Sequence, residues 1–292
     1  MDTNIQKYRA LIEAVDQGSF SRAAEVLECS QPGISRMIAD LEHDWRVRLV
    51  ERGRGGVSLT AEGKKILPYV RRVVEEDREL HSRIDDVNGL AVGTVRIGSF
   101  TSVATHWLPH VIARFQKDFP QIDYELVMGD YTEIERWVQE GRVDCGFIAG
   151  KPKSTLMDRL LDRDEMLAVV PEGHRLASQE SCVLEDLCRE PFMMLQQSGD
   201  TEVSGIFEAV HLAPDVRFVT WDDYAIMSMV ENGLGVSVLP SLVLKRNPYH
   251  IKLLHLEEPA FRNIRVITRP DISKIASKFL EYLKYRNETV ED

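Results

Sequence analysis

Ser19-Phe20-Ser21-Arg22-Ala23-Ala24-Glu25-Val26-Leu27, followed by Ser30-Gln31-Pro32-Gly33-Ile34-Ser35-Arg36 and then Leu41-Glu42, is the stretch whose reading decides the fold. It reads as two short helices joined by a tight turn at Cys29-Ser30. Gly18 suits the end of a preceding helix, and Ser19 suits the cap of the next. Ala23, Ala24 and Leu27 allow close helix packing. Ser30 can cap the following helix, and Pro32 falls in its first turn, where a missing N–H costs nothing. Ile34, Ile38 and Leu41 recur at helical spacing and predict one buried face. The other face presents Gln31, Gly33, Ser35 and Arg36. Gln and Arg can pair bidentately with adenine and guanine edges, and Ser30 and Ser35 suit phosphate oxygens. A helix-turn-helix meets the major groove of DNA in this way. A helical hairpin with a solvated polar face is the plainer alternative.

Outward from that stretch, Ile5, Tyr8, Leu11, Ile12 and Val15 predict an amphipathic helix over residues 4–17. On the other side, Leu49-Val50-Glu51-Arg52, Gly53-Arg54-Gly55-Gly56 and Val57-Ser58-Leu59-Thr60 read as strand, glycine turn, strand. A hairpin there makes a winged module, with Arg52 and Arg54 on or beside the wing for phosphate or minor groove. Surface arginines on an ordinary hairpin are the alternative. From Thr60 to about Asn88 a long helix is predicted. Ile66, Val70, Val73, Asp77, Leu80, Ile84 and Val87 form a heptad seam with one polar interruption. Such a seam wants either a second copy or its own domain. Asp77 would cost stability if desolvated, or would fix register.

Beyond Asn88-Gly89 the pattern changes. Val95–Phe100, Ile122–Val127 and Val143–Ile148 read as strands separated by helices over 105–118 and around Ile134 and Val138. The pattern then restarts with strands at 166–170, 192–195, 216–219 and 236–239, and helices at 202–211 and 224–231. A strand at 265–268 and a helix over 273–286 close the chain. Alternating strands and helices predict a parallel α/β sheet. Crossings near Leu161–Asp164 and Phe261–Arg265 predict a two-lobed clamp, similar to periplasmic binding proteins. In such a clamp a ligand lies between the lobes, against strand and helix ends. Ser99-Phe100-Thr101-Ser102 ends the first strand and opens a helix, which suits a carboxylate or another anion. Ordinary capping by Ser99, Thr101 and Ser102 is the alternative, and Phe100 and Phe147 serve equally as core.

The formal charge is −11, which argues against indiscriminate coating of nucleic acid. Residues 1–72 carry 12 Lys and Arg against 10 Asp and Glu, so the remainder carries about −13 and any DNA contact is local. No apolar run is long enough to cross a membrane, and the N-terminus lacks a secretory pattern, so a cytoplasmic protein with no membrane partner is expected. Cys29, Cys145, Cys182 and Cys188 have no Cys-x-x-Cys spacing. Neither a Gly-x-Ser-x-Gly elbow nor a phosphate loop is present, and His106 and His110 lack an evident third ligand. The expectation is therefore a protein that is not an enzyme and that uses no metal or other cofactor.

The run from Phe20 to Gly63 resembles the DNA-binding domain of LysR-type transcriptional regulators. The matching residues are Ser19-Phe20-Ser21, Ala23-Ala24, Leu27, Ser30-Gln31-Pro32, Ser35, Leu41-Glu42, Leu49, Arg52, Leu59-Thr60 and Gly63. The resemblance implies that Gln31, Pro32, Ser35 and Arg36 sit at the groove, that Arg52 and Arg54 serve the wing, and that the long helix pairs two subunits. It implies effector contacts at Ser99, Phe100, Thr101 and Ser102, at Ile148-Ala149, and at Gly199 and Thr201 in the second lobe. The fold it implies is α+β and two-domain. A winged helix-turn-helix occupies 1–60, a linker and dimerisation helix 61–90, and a periplasmic-binding-protein-like effector domain 91–292. The lobes run over about 91–162 with 266–292, and 163–265. The partners it implies are double-stranded promoter DNA, an anionic small molecule and further copies of the chain as homodimer and homotetramer, with room for RNA polymerase. Trp45-Arg46 stands where the family usually has Leu-Gly, and Val50 where it has Phe. A non-glycine residue at a left-handed helix end costs roughly 1 kcal/mol, which predicts a different exit from the third helix and a shifted wing.

Two rival readings remain at this level. One is a stand-alone solute-binding protein whose N-terminal module only dimerises. The other is a thiol-based regulator of the same family. Its peroxide-sensing members carry reactive cysteines near the segment matching Gln196–Ser204, which here has none.

Overall fold

The computed structural model describes residues 3–53, 56–87, 92–195 and 202–288. The chain divides into two compact units, one of residues 1–91 with 140–142, the other of the remainder.

The first unit opens with helices α1 (Thr3–Asp16), α2 (Phe20–Val26) and α3 (Gln31–Trp45). The capping serines act as the sequence predicts. Ser19 Oγ accepts from Arg22 N at 3.4 Å and Ser30 Oγ from Gly33 N at 3.2 Å. Leu11, Ile34, Ile38, Leu41 and Leu49 are fully buried together. Each contributes roughly 1.5–3 kcal/mol of apolar burial.

The exit of α3 departs from expectation. Arg46 itself takes the left-handed conformation, at φ 54°. Val47 N–H reaches Glu42 O at 3.1 Å and Arg46 N–H reaches His43 O at 3.3 Å. That pair of bonds is a Schellman cap, usually built on glycine. The chain makes the turn that glycine usually makes with a residue that is strained there, rather than leaving the helix by another route.

Strands β1 (Val50–Gly53) and β2 (Gly56–Leu59) form the wing, with Val50 opposite Leu59. Gly56 has φ +104°, and a Cβ on it would lie 2.3 Å from Gly18 O. The hairpin therefore docks backbone to backbone on the α1–α2 turn, where Val57 N donates to Gly18 O at 2.8 Å. Helix α4 (Ala61–Val87) follows at once. Thr60 Oγ1 accepts from Gly63 N at 2.9 Å and donates to Arg48 O at 2.7 Å, capping α4 and anchoring its start. Along the predicted seam Val70 is buried, whereas Val73, Leu80 and Ile84 are exposed. Asp77 lies 4.0 Å from Arg9 and 3.9 Å from His81, so its charge is partnered within the chain.

The second unit begins with β3 (Gly93–Ser99), α5 (Thr101–His106), α6 (Leu108–Asp118), β4 (Ile122–Met128), α7 (Tyr131–Gln139) and β5 (Cys145–Ala149). One helix was expected over 105–118. Pro109 in the first turn of α6 splits it at Trp107, because proline cannot donate back to residue 105. The long strand β6 (Met157–Pro171) leads to β7 (Ser181–Cys182), α8 (Leu184–Leu187), β8 (Pro191–Leu195), α9 (Glu202–Ala209), β9 (Asp215–Thr220) and α10 (Asp223–Glu231). Then come β10 (Ser237–Pro240), α11 (Ser241–Leu244), β11 (Ile251–Leu256), β12 (Phe261–Thr268), α12 (Lys274–Tyr282) and a closing 3-10 turn.

The sheet corrects the purely parallel expectation. Strand β3 is parallel to β4 and β5, but β12 runs antiparallel to β5 and to β6. Strands β10 and β11 also pair antiparallel to β6. The crossing strands thus join the two halves into one mixed sheet, ordered β4-β3-β5-β12-β6-β11-β7, with β8 and β9 as a separate parallel pair. Two lobes keep separate cores. One gathers Ile97, Trp107, Phe115, Phe147 and Phe279. The other centres on Phe192, Phe207, Val238 and Leu254, with a cluster around Met193, Ile226 and Leu239 beside it.

Candidate functional site

In the first unit, the buried Ile34–Ile38–Leu41 face turns the opposite face of α3 outward. Ser30, Gln31, Pro32 and Arg36 are exposed at its N-terminal end, and Ser35 is half-buried. Arg52 lies in β1 of the wing, and Arg54 lies outside the described residues. The wing is held to α3 by Glu42, which the sequence flagged only as part of a motif. Its Oε1 accepts from Leu49 N at 2.7 Å and from Val50 N at 3.1 Å. A carboxylate bridging two adjacent backbone N–H groups is a strong, directional tie.

In the second unit, a cavity of about 340 Å³ opens between the lobes. Phe100, Thr101 and Ser102 line it from the cap and first turn of α5, and Met128, Gly129, Asp130 and Glu133 line it from the end of β4 through the start of α7. Leu195, Trp221 and Asp223 close it from the other lobe, with Arg262 of β12 at its base. Gly129 is needed because a Cβ there would meet the Trp137 ring at 2.4 Å. That close approach brings the start of α7 to the cavity. Asp130 Oδ1 accepts from Glu133 N at 2.8 Å and Glu133 Oε2 from Asp130 N at 3.2 Å, a reciprocal cap that fixes both carboxylates.

Arg262 organises the floor. Its Nε donates to Asp164 Oδ2 at 2.7 Å, its Nη2 to Ser102 Oγ at 2.7 Å, and its Nη1 to Tyr131 Oη at 3.4 Å. Its guanidinium lies 5.1 Å from the Phe100 ring centre. Burial holds the Tyr131 phenol protonated, above its ordinary range. Burial also raises the Asp223 carboxyl to about 6, against the opposing pull of Arg262.

The sequence-predicted contacts divide. Phe100, Thr101 and Ser102 come together at the cavity. Ser99 is fully buried with its hydroxyl on Phe100 O at 3.3 Å, and Ile148 is buried in the sheet. Ala149 is half-buried, and neither it nor Ile148 lines the cavity. Gly199 and Thr201 lie outside the described residues. Sequence reasoning missed Arg262, Asp164, Asp130, Glu133, Trp221 and Asp223. The charge signal was present in the predicted crossings, where Asp164 and Arg262 both fall. The acidic lining does not favour the anion expected from the hydroxyls of residues 99–102.

Cys182 is buried, and desolvation with nearby Asp186 and Glu257 pushes its thiol up to about 11. Burial likewise raises the Cys188 thiol. Reactive thiols need the opposite shift. Among the described residues, no helix is long and apolar enough to cross a membrane.

Comparison with known proteins places these features in context. A family model described as "Bacterial regulatory helix-turn-helix protein, lysR family" matches residues 5–64, and one described as "LysR substrate binding domain" matches residues 88–288. The chain is 30% identical to "Probable HTH-type transcriptional regulator LrrA" of Synechococcus elongatus, covering 94% of each. It is similar to the crystal structure of HinK, a LysR family transcriptional regulator from Pseudomonas aeruginosa. That match has TM-score 0.61 and 25% identity, over 97% of this chain and 98% of that one. It shares the fold of full-length CbnR crystallised with its target DNA, at TM-score 0.71 and 22% identity, over 97% of this chain and 99% of that one.

Proposed function

The chain belongs to the LysR family of transcriptional regulators, and on that premise we propose that it binds promoter inverted repeats as a dimer of dimers and is switched by a small molecule held between the lobes of its C-terminal domain. One observation carries the reading. The same chain holds an exposed polar helix start on a winged frame and a cavity lined from two lobes. Gln31 and Arg36 read base edges, while Ser30, Ser35, Arg52 and Arg54 meet backbone phosphates. Subunits pair through α4, whose exposed Val73, Leu80 and Ile84 support a partner helix. Effector in the cavity shifts the population between two DNA-bound states. Phe100, Thr101 and Ser102 contact it, with Arg262 fixing their arrangement. Gly199 and Thr201 are further contacts on the family resemblance alone, whereas Ile148 and Ala149 stand outside the cavity lining.

The test is a footprint of the purified protein on DNA upstream of its own gene, repeated with a metabolite panel. A protected inverted repeat that changes with one metabolite supports both halves of the reading. No protection at low salt, where electrostatic binding is strongest, overturns the DNA half and favours a solute-binding protein.

A further inference from the structure

The cavity carries a charge balance that an anion does not fit. Asp130, Glu133 and Asp223 line it, and Arg262 is the one basic residue among its described lining. Arg262 is already committed. Each of its three guanidinium nitrogens donates within the protein, and the buried Asp164 balances its charge. Arg136, 4.0 Å from Glu133 and more than half exposed, is screened by solvent and offsets little. The reciprocal cap between Asp130 and Glu133 fixes those carboxylates without neutralising them.

Asp223 adds an independent observation. Its Oδ1 is fully buried and takes no hydrogen bond from any described residue. A buried acceptor left without a donor is costly, and a cation at the cavity wall lowers that cost by stabilising the Asp223 carboxylate as a whole. Phe100, Leu195 and Trp221 supply the apolar side of the same cavity, and Trp221 is 84% exposed at its edge. An aromatic wall beside carboxylates favours a cation on an apolar body.

We propose that the effector is a cation, a primary ammonium on an apolar or aromatic body, with the ammonium held by Asp223 and Glu133 and the body against Phe100, Leu195 and Trp221. The inference rests on the cavity being the effector site.

Calorimetric titration of the full chain tests it, using phenethylamine, tyramine and cadaverine against the carboxylates hydrocinnamate and glutarate. The expected result is saturation by at least one amine and none by the carboxylates. The amine's Kd should rise tenfold or more in Asp223→Asn and, independently, in Glu133→Gln. A carboxylate that saturates, and is weakened by Phe100→Ala, overturns the cationic assignment and leaves the effector site standing. Saturation by no compound, or an amine whose Kd both variants leave unchanged, also overturns it. The effector-site reading fails separately, if an amine that these variants weaken leaves the DNA footprint and affinity unaltered.

Discussion

Asp164 and Arg262 face each other across the antiparallel pair of β6 and β12, with Oδ2 and Nε 2.7 Å apart and each side chain only 5% exposed. Asp164 Oδ1 also accepts from Ser241 Oγ at 2.7 Å and from Leu242 N at 2.9 Å, so one carboxylate ties the crossing to the start of α11. Removing one member of a buried pair leaves the other charged and desolvated, at a cost of about 3–5 kcal/mol. Arg262→Met should therefore destabilise the C-terminal unit by about that amount. Asp164→Asn combined with it should cost clearly less than the two single changes together. Urea titration followed by tryptophan fluorescence measures both, and simple additivity would show that the pair is not coupled.

Glu42 should prove a determinant of wing position. Glu42→Ala strips the acceptor from two backbone N–H groups and should cost about 2 kcal/mol. Glu42→Gln keeps an acceptor oxygen and should retain most of the stability. Hydrogen exchange at the Leu49 and Val50 amides reports this directly. Protection should fall in the alanine variant and largely persist in the glutamine variant; equal protection in all three proteins would count against the tie.

Arg46→Gly should stabilise the N-terminal unit by roughly 1 kcal/mol, because glycine adopts φ 54° without the Cβ penalty. Arg46→Ala should give no such gain, since alanine carries the same penalty. The two melting temperatures, compared with that of the parent, separate relief of backbone strain from loss of the arginine side chain. A gain in both variants would mean that the side chain, not the backbone, is what destabilises.

Much of this fold was legible in the sequence because its signals are local. Ser19 and Ser30 cap the helices they were expected to cap, and Ile34, Ile38 and Leu41 fall on the buried face. The clamp was visible in the alternation of strands and helices. The first half of β6 was not. Residues 157–165 are mostly charged and sit largely on an exposed edge of the crossing, so the apolar pattern that marks a strand is missing there. Strand β11 was passed over because the adjacent Leu253 and Leu254 interrupt the alternation of its short run. The cavity was half legible. Hydroxyls after β3 pointed to it, but Arg262, Asp130 and Asp223 come from three distant segments, and only the tertiary fold brings them together.

Arg36→Ala should weaken specific DNA binding by about 1–3 kcal/mol, since a bidentate base contact is worth that much. Non-specific affinity should change little, and the salt dependence should stay near that of the parent. Titration of a protected repeat and of a scrambled duplex, each at two salt concentrations, separates the cases. Equal loss on both duplexes with a shallower salt slope would make Arg36 a phosphate contact instead.

Asp223 should make the C-terminal unit less stable as pH rises through the weakly acidic range. Its carboxyl titrates near 6 in the folded chain against an ordinary 3.8, because burial penalises the charged form more than Arg262 favours it. Nearby Asp222 and Glu202 push in the same direction as burial. A group whose folded pKa is raised binds its proton more tightly in the native state. Its stabilising effect is complete below about pH 4 and is lost by about pH 6 to 7, a swing of up to about 3 kcal/mol. Asp223→Asn keeps the shape and removes the titration. The variant should be more stable than the parent at pH 7, with the gap closing as pH falls towards 4. Urea midpoints at pH 4, 5.5 and 7 measure it. A gap that widens on acidification would mean that the carboxylate is held by a donor in the folded state and is not desolvated there.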